Sequence, residues 1–537
     1  MAQSARVPQR TVDSVSTPER VETRLGTLEF PLGVPTEETQ RRIHDHLDHV
    51  RALNVFLNAH RGVSTWATRD AFLAAGVNDN DVLLFSGLMD STSLFLTANA
   101  DTVYFVSFLD LTRGPLVVDF PPATLCFVND MWFRWVTDVG TVGADRGAGG
   151  SYLFVPPGYD GPLPEDGFFV RRSRTTRLIL GGRAFLGGGG PEPAVERIRQ
   201  GLRIHPYAAG GYGTSIGGIL GGGPAPAPPW TPETWAAALE QSAPPRFVEG
   251  SGLALNTVPP VDETYFDMAS ELVQDQPAEA LDPEASGDLA AIGIVRGKPF
   301  RPDERMRGIL AEAAAVGNAA ARTLSFRPRA DSGAYYYGEG SQWTNGLFAY
   351  GHEFMTPSPR ITDEGVEPYP NDGARKLDLQ AWYFYSVTGI SPALAMRLTG
   401  LGSQYLFAFA DREGRPLDGG KHYRVTLPPD VPAARFWSLT VYDNQTRSML
   451  DTPQRFPRAG SQASPTPAAV PGPDGAVTVH FCPDRPDGAP EGNWIRTVPG
   501  RGWFVALRLY SPLQPFFDKT WRPGEIEEAG RSGNGAG

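Results

Sequence analysis

The chain has 537 residues, 41% of them hydrophobic and 20% charged, a balance that fits a globular protein of two to four domains and excludes a disordered or fibrous one. Its formal charge of -12 argues against nucleic acid or an anionic membrane surface as a partner, because both recruit clustered Lys and Arg. A small molecule or a neutral polymer fits better.

The first residues, "MAQSARVPQRTVDSV", lack the apolar core of a signal peptide, and no apolar run of membrane-spanning length follows, so a cytoplasmic location is expected. The first strong periodic signal is "TEETQRRIHDHLDHVRALNVFLNA". Thr36 is placed to cap a helix there, and Ile43, Leu47, Val50, Leu53 and Leu57 recur at helical spacing. A second, shorter helix is read at "TRDAFLAAG". From residue 93 the period changes to short β-rich runs, "TVYFVSFLDL", "GPLVVDF", "TLCFVNDM", "SYLFVPP", "GFFVRRS" and "RLILGGRAF", punctuated by Gly, Pro and Asp.

Near residue 191 helical patterns return in "PAVERIRQGL", "PETWAAALEQ", "DETYFDMASELVQ" and "DERMRGILAEAAAVGNAAART", with a Pro/Gly linker, "LGGGPAPAPPWTPE", between them. The segment "LDLQAWYFYSVTGI" reads equally as helix or buried strand. The last part is all β: "QYLFAFAD", "KHYRVTLP", "RFWSLTVYD", "AVTVHF", "NWIRTV" and "GWFVALRLY". Short strands closed by turns suggest a sandwich. The resulting fold class is α+β, mainly β. It divides into a flexible tail (1–30), N-terminal helices (31–92), a β domain (93–190), a helical insert with linker (191–375), a C-terminal β domain (376–522) and a second tail (523–537).

One motif invites a specific reaction. Gly213-Thr214-Ser215-Ile216-Gly217 fits the G-x-S-x-G pattern of a serine hydrolase. A nucleophile elbow needs a strand before it and a helix after it, whereas here "IHPYAAGGYG" is a poor strand and "GGILGGGPAPAPP" cannot be a helix, so Ser215 is read as a turn serine. Cys126 and Cys482 lie far apart in apolar surroundings and are read as buried thiols. "GIVRGKP" misses the spacing of a phosphate-binding loop. In "HDHLDHV", His44, Asp45, His46, Asp48 and His49 share a helix, which exposed helix polarity explains better than metal ligation. No metal and no cofactor is expected.

Several long segments in order resemble one family: "TANADTVYFVSFLDL", "NDMWFRWVTDVGTVGADRGAGGSYLFVPPGYDGPLP", "LAAIGIVRGKPFRPD", "FWSLTVYDNQTRSML" with "TPQRFPRAGSQ", and "GNWIRTVPGRGWFVALRLYSPLQPFFDKTWRP". The chain is similar, over about residues 30 to 527, to bacterial and fungal proteins that pair domain-of-unknown-function family 1254 with family 1214. The resemblance implies a β-sandwich first domain, a helical insert and a jelly-roll-like second domain, the last likened to the jelly rolls of a peptide-N-glycosidase. It implies no reaction.

Three polar clusters are candidates for chemistry. Asn99, Asp101, Tyr104 and Asp110 flank or occupy a strand whose alternation sends Thr102, Tyr104 and Val106 to one face and Val103, Phe105 and Ser107 to the other. In "VNDMWFRWVTDVG", Asn129, Asp130, Arg134 and Asp138 sit among aromatic residues, where a charge must be paired or line a cavity. "GADRGAGG" adds Asp145 and Arg146 in a loop. "TVYDNQTRSML" supplies Tyr442, Asp443, Asn444, Gln445 and Arg447, to which Tyr336, Glu339, Trp343, Asn345, Asn493 and Trp494 add polar and aromatic groups. Each cluster has a bland reading as turn or core.

The functional expectation is an enzyme of hydrolase or lyase type. It would act on a small or medium neutral molecule in a cleft between the β domains, with Asp101 or Asp443 as base, Tyr104 as acid, and Arg134 or Arg447 as anion stabiliser. Asn99, Asp130, Asp138, Tyr336, Trp343, Asn345, Asn444 and Trp494 would contribute to ligand binding. The alternatives are a non-catalytic module for carbohydrate or an apolar metabolite, and a structural protein; a homo-oligomer is expected.

Overall fold

The computed structural model describes residues 7–186, 190–207, 243–356, 361–362, 365–366 and 374–530. Ser215 and its motif, the Pro/Gly linker and "PETWAAALEQ" lie outside the described residues. The fold is α+β, as expected: two β-sandwiches with a helical layer between and beside them.

The strand Thr102–Asp110 shows how the first sandwich forms. Val103, Phe105 and Leu109 enter the sandwich interior with Cys126, Val128, Leu178 and Leu180. Tyr104, Val106 and Phe108 point the opposite way, as period-two alternation requires. The larger sheet runs in the order Phe247–Glu249, Val82–Leu84, Thr102–Asp110, Arg177–Phe185, Thr124–Asp130, Trp135–Gly140. A four-stranded sheet, Arg203–Pro206, Leu116–Phe120, Gly150–Val155, Phe169–Arg172, covers its inner face.

The second sandwich repeats the logic. Its main sheet runs Trp343–Thr344, Ser403–Ala408, Gly502–Pro512, Ala433–Asp443, Arg458–Gly460. Leu406, Leu439, Val441, Trp503, Val505 and Leu507 fill the interior against the sheet Trp494–Arg496, Val477–Cys482, Tyr423–Leu427, Glu527–Glu528. The alternate residues Phe407, Tyr442, Phe504 and Ala506, with the partly buried Tyr405, face outward and join the same hydrophobic cluster as the outer face of the first sandwich. The two main sheets thus turn their outer faces towards shared material.

That material is largely helical. The helix Glu37–Ala74 packs on Thr264–Asp275, Pro283–Ala291, Glu304–Phe326 and Leu377–Ser386. Thr36 caps it, its hydroxyl accepting the Thr39 N–H at 3.3 Å. The two helices expected here are one continuous helix of 38 residues. Gly62, inside this helix, marks a close approach: a Cβ there would lie 2.5 Å from the Trp132 ring. The buried stripe also differs from the expected one, running through Ala52, Val55, Phe56, Ala59 and Val63 while Leu47 is exposed, because the helix packs along its C-terminal half.

Strands cross the expected domain boundaries. Arg203–Pro206 and Phe247–Glu249 belong to the first sandwich and Trp343–Thr344 to the second, so the helical insert is stitched into both. The expected tails also carry structure. Residues 20–29 form a hairpin, and Glu527–Glu528 adds an edge strand beside Tyr423, with Ile526 buried.

Candidate functional site

Where the outer faces of the two main sheets meet the helix Leu377–Ser386, they border a partly open cavity of ≈ 180 Å³. Its walls are mostly apolar, with Phe95, Val106, Phe127, Ile179, Trp382 and Phe407 prominent. A few polar groups converge on it: Asn99, Tyr104, Asp138, Arg183, Ser403, Tyr405 and Arg508. Apolar walls with sparse, convergent polar groups are the usual composition of a small-molecule site.

Arg183 and Arg508 come from the central strands of opposed sheets. Arg183 sits opposite Tyr104 in its ladder, and Arg508 opposite Tyr405 in the other. Arg183 donates from Nη1 to the Tyr405 hydroxyl at 3.2 Å and from Nη2 to the Ser403 hydroxyl at 3.0 Å. Arg508 lies over the Tyr405 ring, its Cζ 5.2 Å from the centroid. Its Nη2 donates to the Thr97 carbonyl at 2.8 Å and the Tyr442 hydroxyl at 2.6 Å, while its Nε is buried without a partner.

This crowding fixes the electrostatics. Burial opposes charge on both arginines, but the surrounding tyrosine hydroxyls outweigh it and hold both above the ordinary arginine value. Burial likewise pushes Tyr405 up, yet Arg183 and Arg508 outweigh it and hold the Tyr405 hydroxyl below its ordinary value.

Asp138 reaches the same cavity from the strand Trp135–Gly140. Burial pushes its carboxyl up to about 7, against the smaller lowering effects of the Ser391 hydroxyl, the Ala393 backbone N–H and Trp135. A carboxyl at that value exchanges protons readily near neutral pH.

Behind the cavity, Asp101 joins the two sandwiches. Its Oδ1 lies 2.7 Å from Arg458 Nε, as an ion pair rather than an aligned hydrogen bond. Its Oδ2 accepts from the hydroxyls of Ser438 at 2.6 Å and Tyr510 at 2.8 Å. Asn99 adds a bond from Nδ2 to the Tyr510 hydroxyl at 2.7 Å and accepts the Asp101 N–H.

A family model described as a protein of unknown function, DUF1254, matches residues 80–206, and another described the same way, DUF1214, matches residues 402–514. This chain pairs a DUF1254 domain with a DUF1214 domain. Each contributes to the cavity: Tyr104, Asp138 and Arg183 come from the DUF1254 part, Ser403, Tyr405 and Arg508 from the DUF1214 part. Among solved structures, the chain is similar to the VPA0106 protein from Vibrio parahaemolyticus, at 16% identity and a TM-score of 0.48, covering 90% of this chain and 100% of that one. It is also similar to an uncharacterized protein from Burkholderia cenocepacia, at 12% identity and a TM-score of 0.35, covering 90% of this chain and 95% of that one. Among curated proteins nothing matches this chain.

Four of the residues singled out in the sequence, Asn99, Tyr104, Asp138 and Asn345, line the cavity. Asn345 holds the wall, donating to the Tyr405 carbonyl at 2.9 Å. The others lie apart from it. Asp130 binds Arg134 at 2.6 Å and accepts two backbone N–H groups, which makes a closed turn. Asp443 accepts from the N–H groups of Gln445 and Thr446 and from Arg501 at 3.0 Å, so it organises the turn at the end of its strand. Asn444 pairs its amide with the Trp503 backbone. Arg447 stacks on Tyr385 at 4.0 Å and donates to its carbonyl, in the helical layer of the DUF1214 side.

Tyr336 and Trp343 are core residues of the second sandwich, bonded to the carbonyls of Phe516 and Gly524. Trp494 donates to the Cys482 carbonyl on the outer sheet. In the histidine-rich helix segment, Asp45 and Asp48 bind Arg305. Among the described residues there is no group of three or more His, Cys, Asp or Glu side chains able to hold a metal. Arg183, Tyr405 and Arg508 escaped the sequence reading. Their signal is a single Arg at an alternate position of an otherwise apolar strand, in "LILGGRAF" and "FVALRLY".

Proposed function

We propose that the protein is an enzyme of acid/base type, of the hydrolase or lyase class, acting on a small and largely apolar molecule held between its DUF1254 and DUF1214 parts. The observation that carries the reading is Asp138, a carboxyl buried in the wall of an apolar cavity and poised near neutral pH. It is suited to take a proton from the bound molecule or give one to it. Arg183, Arg508 and Tyr405 line the same cavity and are suited to stabilise negative charge as it develops. The walls are mostly apolar, and a low-dielectric surrounding strengthens each of these interactions.

This assignment moves the chemistry from Asp101 and Asp443, whose oxygens are already engaged in structural bonds, to Asp138. Tyr104 also lines the cavity, as a hydroxyl on the Thr102–Asp110 strand, three strands across the larger sheet from the strand that carries Asp138. The test is turnover of a panel of small esters, amides and hydroxy compounds by the purified full chain and by Asp138→Asn. Loss of turnover with the fold intact is the expected result. Full turnover by Asp138→Asn would refute the reading, and binding without turnover by the wild type would favour a non-catalytic binding module.

A further inference from the structure

We infer that the molecule held in this cavity is a small apolar monocarboxylate whose carboxylate group sits between Arg183 and Arg508. The inference rests on the cavity being the functional site and names the class of molecule it takes. It revises the expectation of a neutral substrate.

Two guanidiniums from opposed sheets converge on one tyrosine, Tyr405. Both side chains are buried, Arg183 at 7% and Arg508 at 4% exposure. Among the described residues neither forms an ion pair with Asp or Glu, and Asp101, the carboxylate behind the cavity, is occupied by Arg458. The partners they do have, Ser403, Tyr405, Tyr442, Tyr104 and the carbonyls of Thr97 and Ala98, are hydroxyls and carbonyls, none of them a carboxylate. Dipoles solvate a buried cation without neutralising it, and an uncompensated buried charge is costly. The unpartnered Nε of Arg508 shows that its donors are not all used.

An anion is the group that completes this arrangement. A carboxylate matches planar guanidinium donors with two acceptor oxygens. The apolar walls then call for a hydrocarbon body. Size limits that body: a cavity of ≈ 180 Å³ is comparable to the engineered apolar cavity of about 150 Å³ that holds benzene. One ring, or a short alkyl chain, is therefore the scale. Asp138, held neutral by burial below its titration, leaves the cavity free of a competing negative charge.

The test is calorimetric titration of the full chain with benzoate, phenylacetate and hexanoate, each against its own primary amide, at a pH below the Asp138 titration. At least one acid is expected to bind more tightly than its amide by roughly ten- to a hundredfold, the range of a charge-assisted hydrogen bond. Arg183→Gln should remove that preference. If Arg183→Gln does not fold, Arg183→Lys, which keeps the charge and loses the planar fork, should still reduce it.

Equal binding of acid and amide, binding of no acid in the panel, or an undiminished preference in the folded arginine variants would overturn the inference. None of these results bears on Asp138. Loss of turnover in Asp138→Asn on the uncharged panel would then leave the proposed function standing while the carboxylate inference fell.

Discussion

Asp101 of the first sandwich and Arg458 of the second meet at 2.7 Å, both with side chains 0% exposed. The pair spans the seam on which the cavity is built, since Ser438 and Tyr510 from the second sandwich bind the same carboxylate. Removing one partner leaves the other charge buried alone. Asp101→Ala should therefore destabilise the protein by about 3–5 kcal/mol. Chemical denaturation of the full chain measures this, and a double variant Asp101→Ala/Arg458→Met should lose less than the sum of the single changes.

Asp138 gives stability a pH dependence with a definite sign. Its pKa is raised from 3.8 to about 7 on folding, so the folded state keeps a proton that the unfolded chain gives up. That contribution is fully present below pH 3.8 and is lost as pH rises through 7. The gap corresponds to on the order of 4 kcal/mol. Other carboxylates, such as Asp79 and Asp90, are shifted the opposite way by their arginines, so the wild type alone mixes both signs. The quantity to measure is the stability difference between wild type and Asp138→Asn, which should fall across that window and then level off.

The adjacent glycines of the Arg177–Phe185 strand should separate function from stability. A Cβ at Gly182 would lie 2.2 Å from the Phe105 ring inside the sandwich, and one at Gly181 would lie 2.3 Å from the Phe127 ring, which lines the cavity. Overpacking a filled interior costs about 1–3 kcal/mol, and Gly182→Ala should show that loss in denaturant. Gly181→Ala should instead displace the Phe127 ring and weaken ligand binding or turnover more than it weakens the fold.

Asp443 serves as the contrasting site. Its ion pair with Arg501 involves a half-exposed arginine, and the Asn side chain keeps an oxygen for the N–H groups of Gln445 and Thr446. Asp443→Asn should thus cost no more than about 1 kcal/mol and leave turnover unchanged. A selective loss of turnover in this variant would return the chemistry to the end of the Ala433–Asp443 strand.

Much of the fold was legible because its strands obey simple alternation. The faces assigned to Tyr104 and Phe105 from sequence are the faces they occupy. Asp138 also stood out, as a charge among aromatic residues, although sequence could not separate it from Asp130. The difference is tertiary. Asp130 finds Arg134 four residues away, while Asp138 meets only the neutral Ser391, Ala393 and Trp135. Arg183 and Arg508 were missed for a related reason. Each looks like a lone polar interruption of a buried strand, and only the packing of one sheet against the other brings them to a common tyrosine. The two helices expected over this stretch are one, Glu37–Ala74, and its Gly62 packs closely against the Trp132 ring, a tertiary contact that the local sequence pattern does not carry.

The most direct test is the protonation of Asp138 itself, followed by infrared difference spectroscopy between wild type and Asp138→Asn across a pH series. A protonated carboxyl band that persists in mildly acid solution and disappears with a midpoint near 7 is the predicted result. A carboxyl already fully ionised in mild acid, as for an exposed aspartate, would contradict the assignment of this cavity as a site of proton transfer.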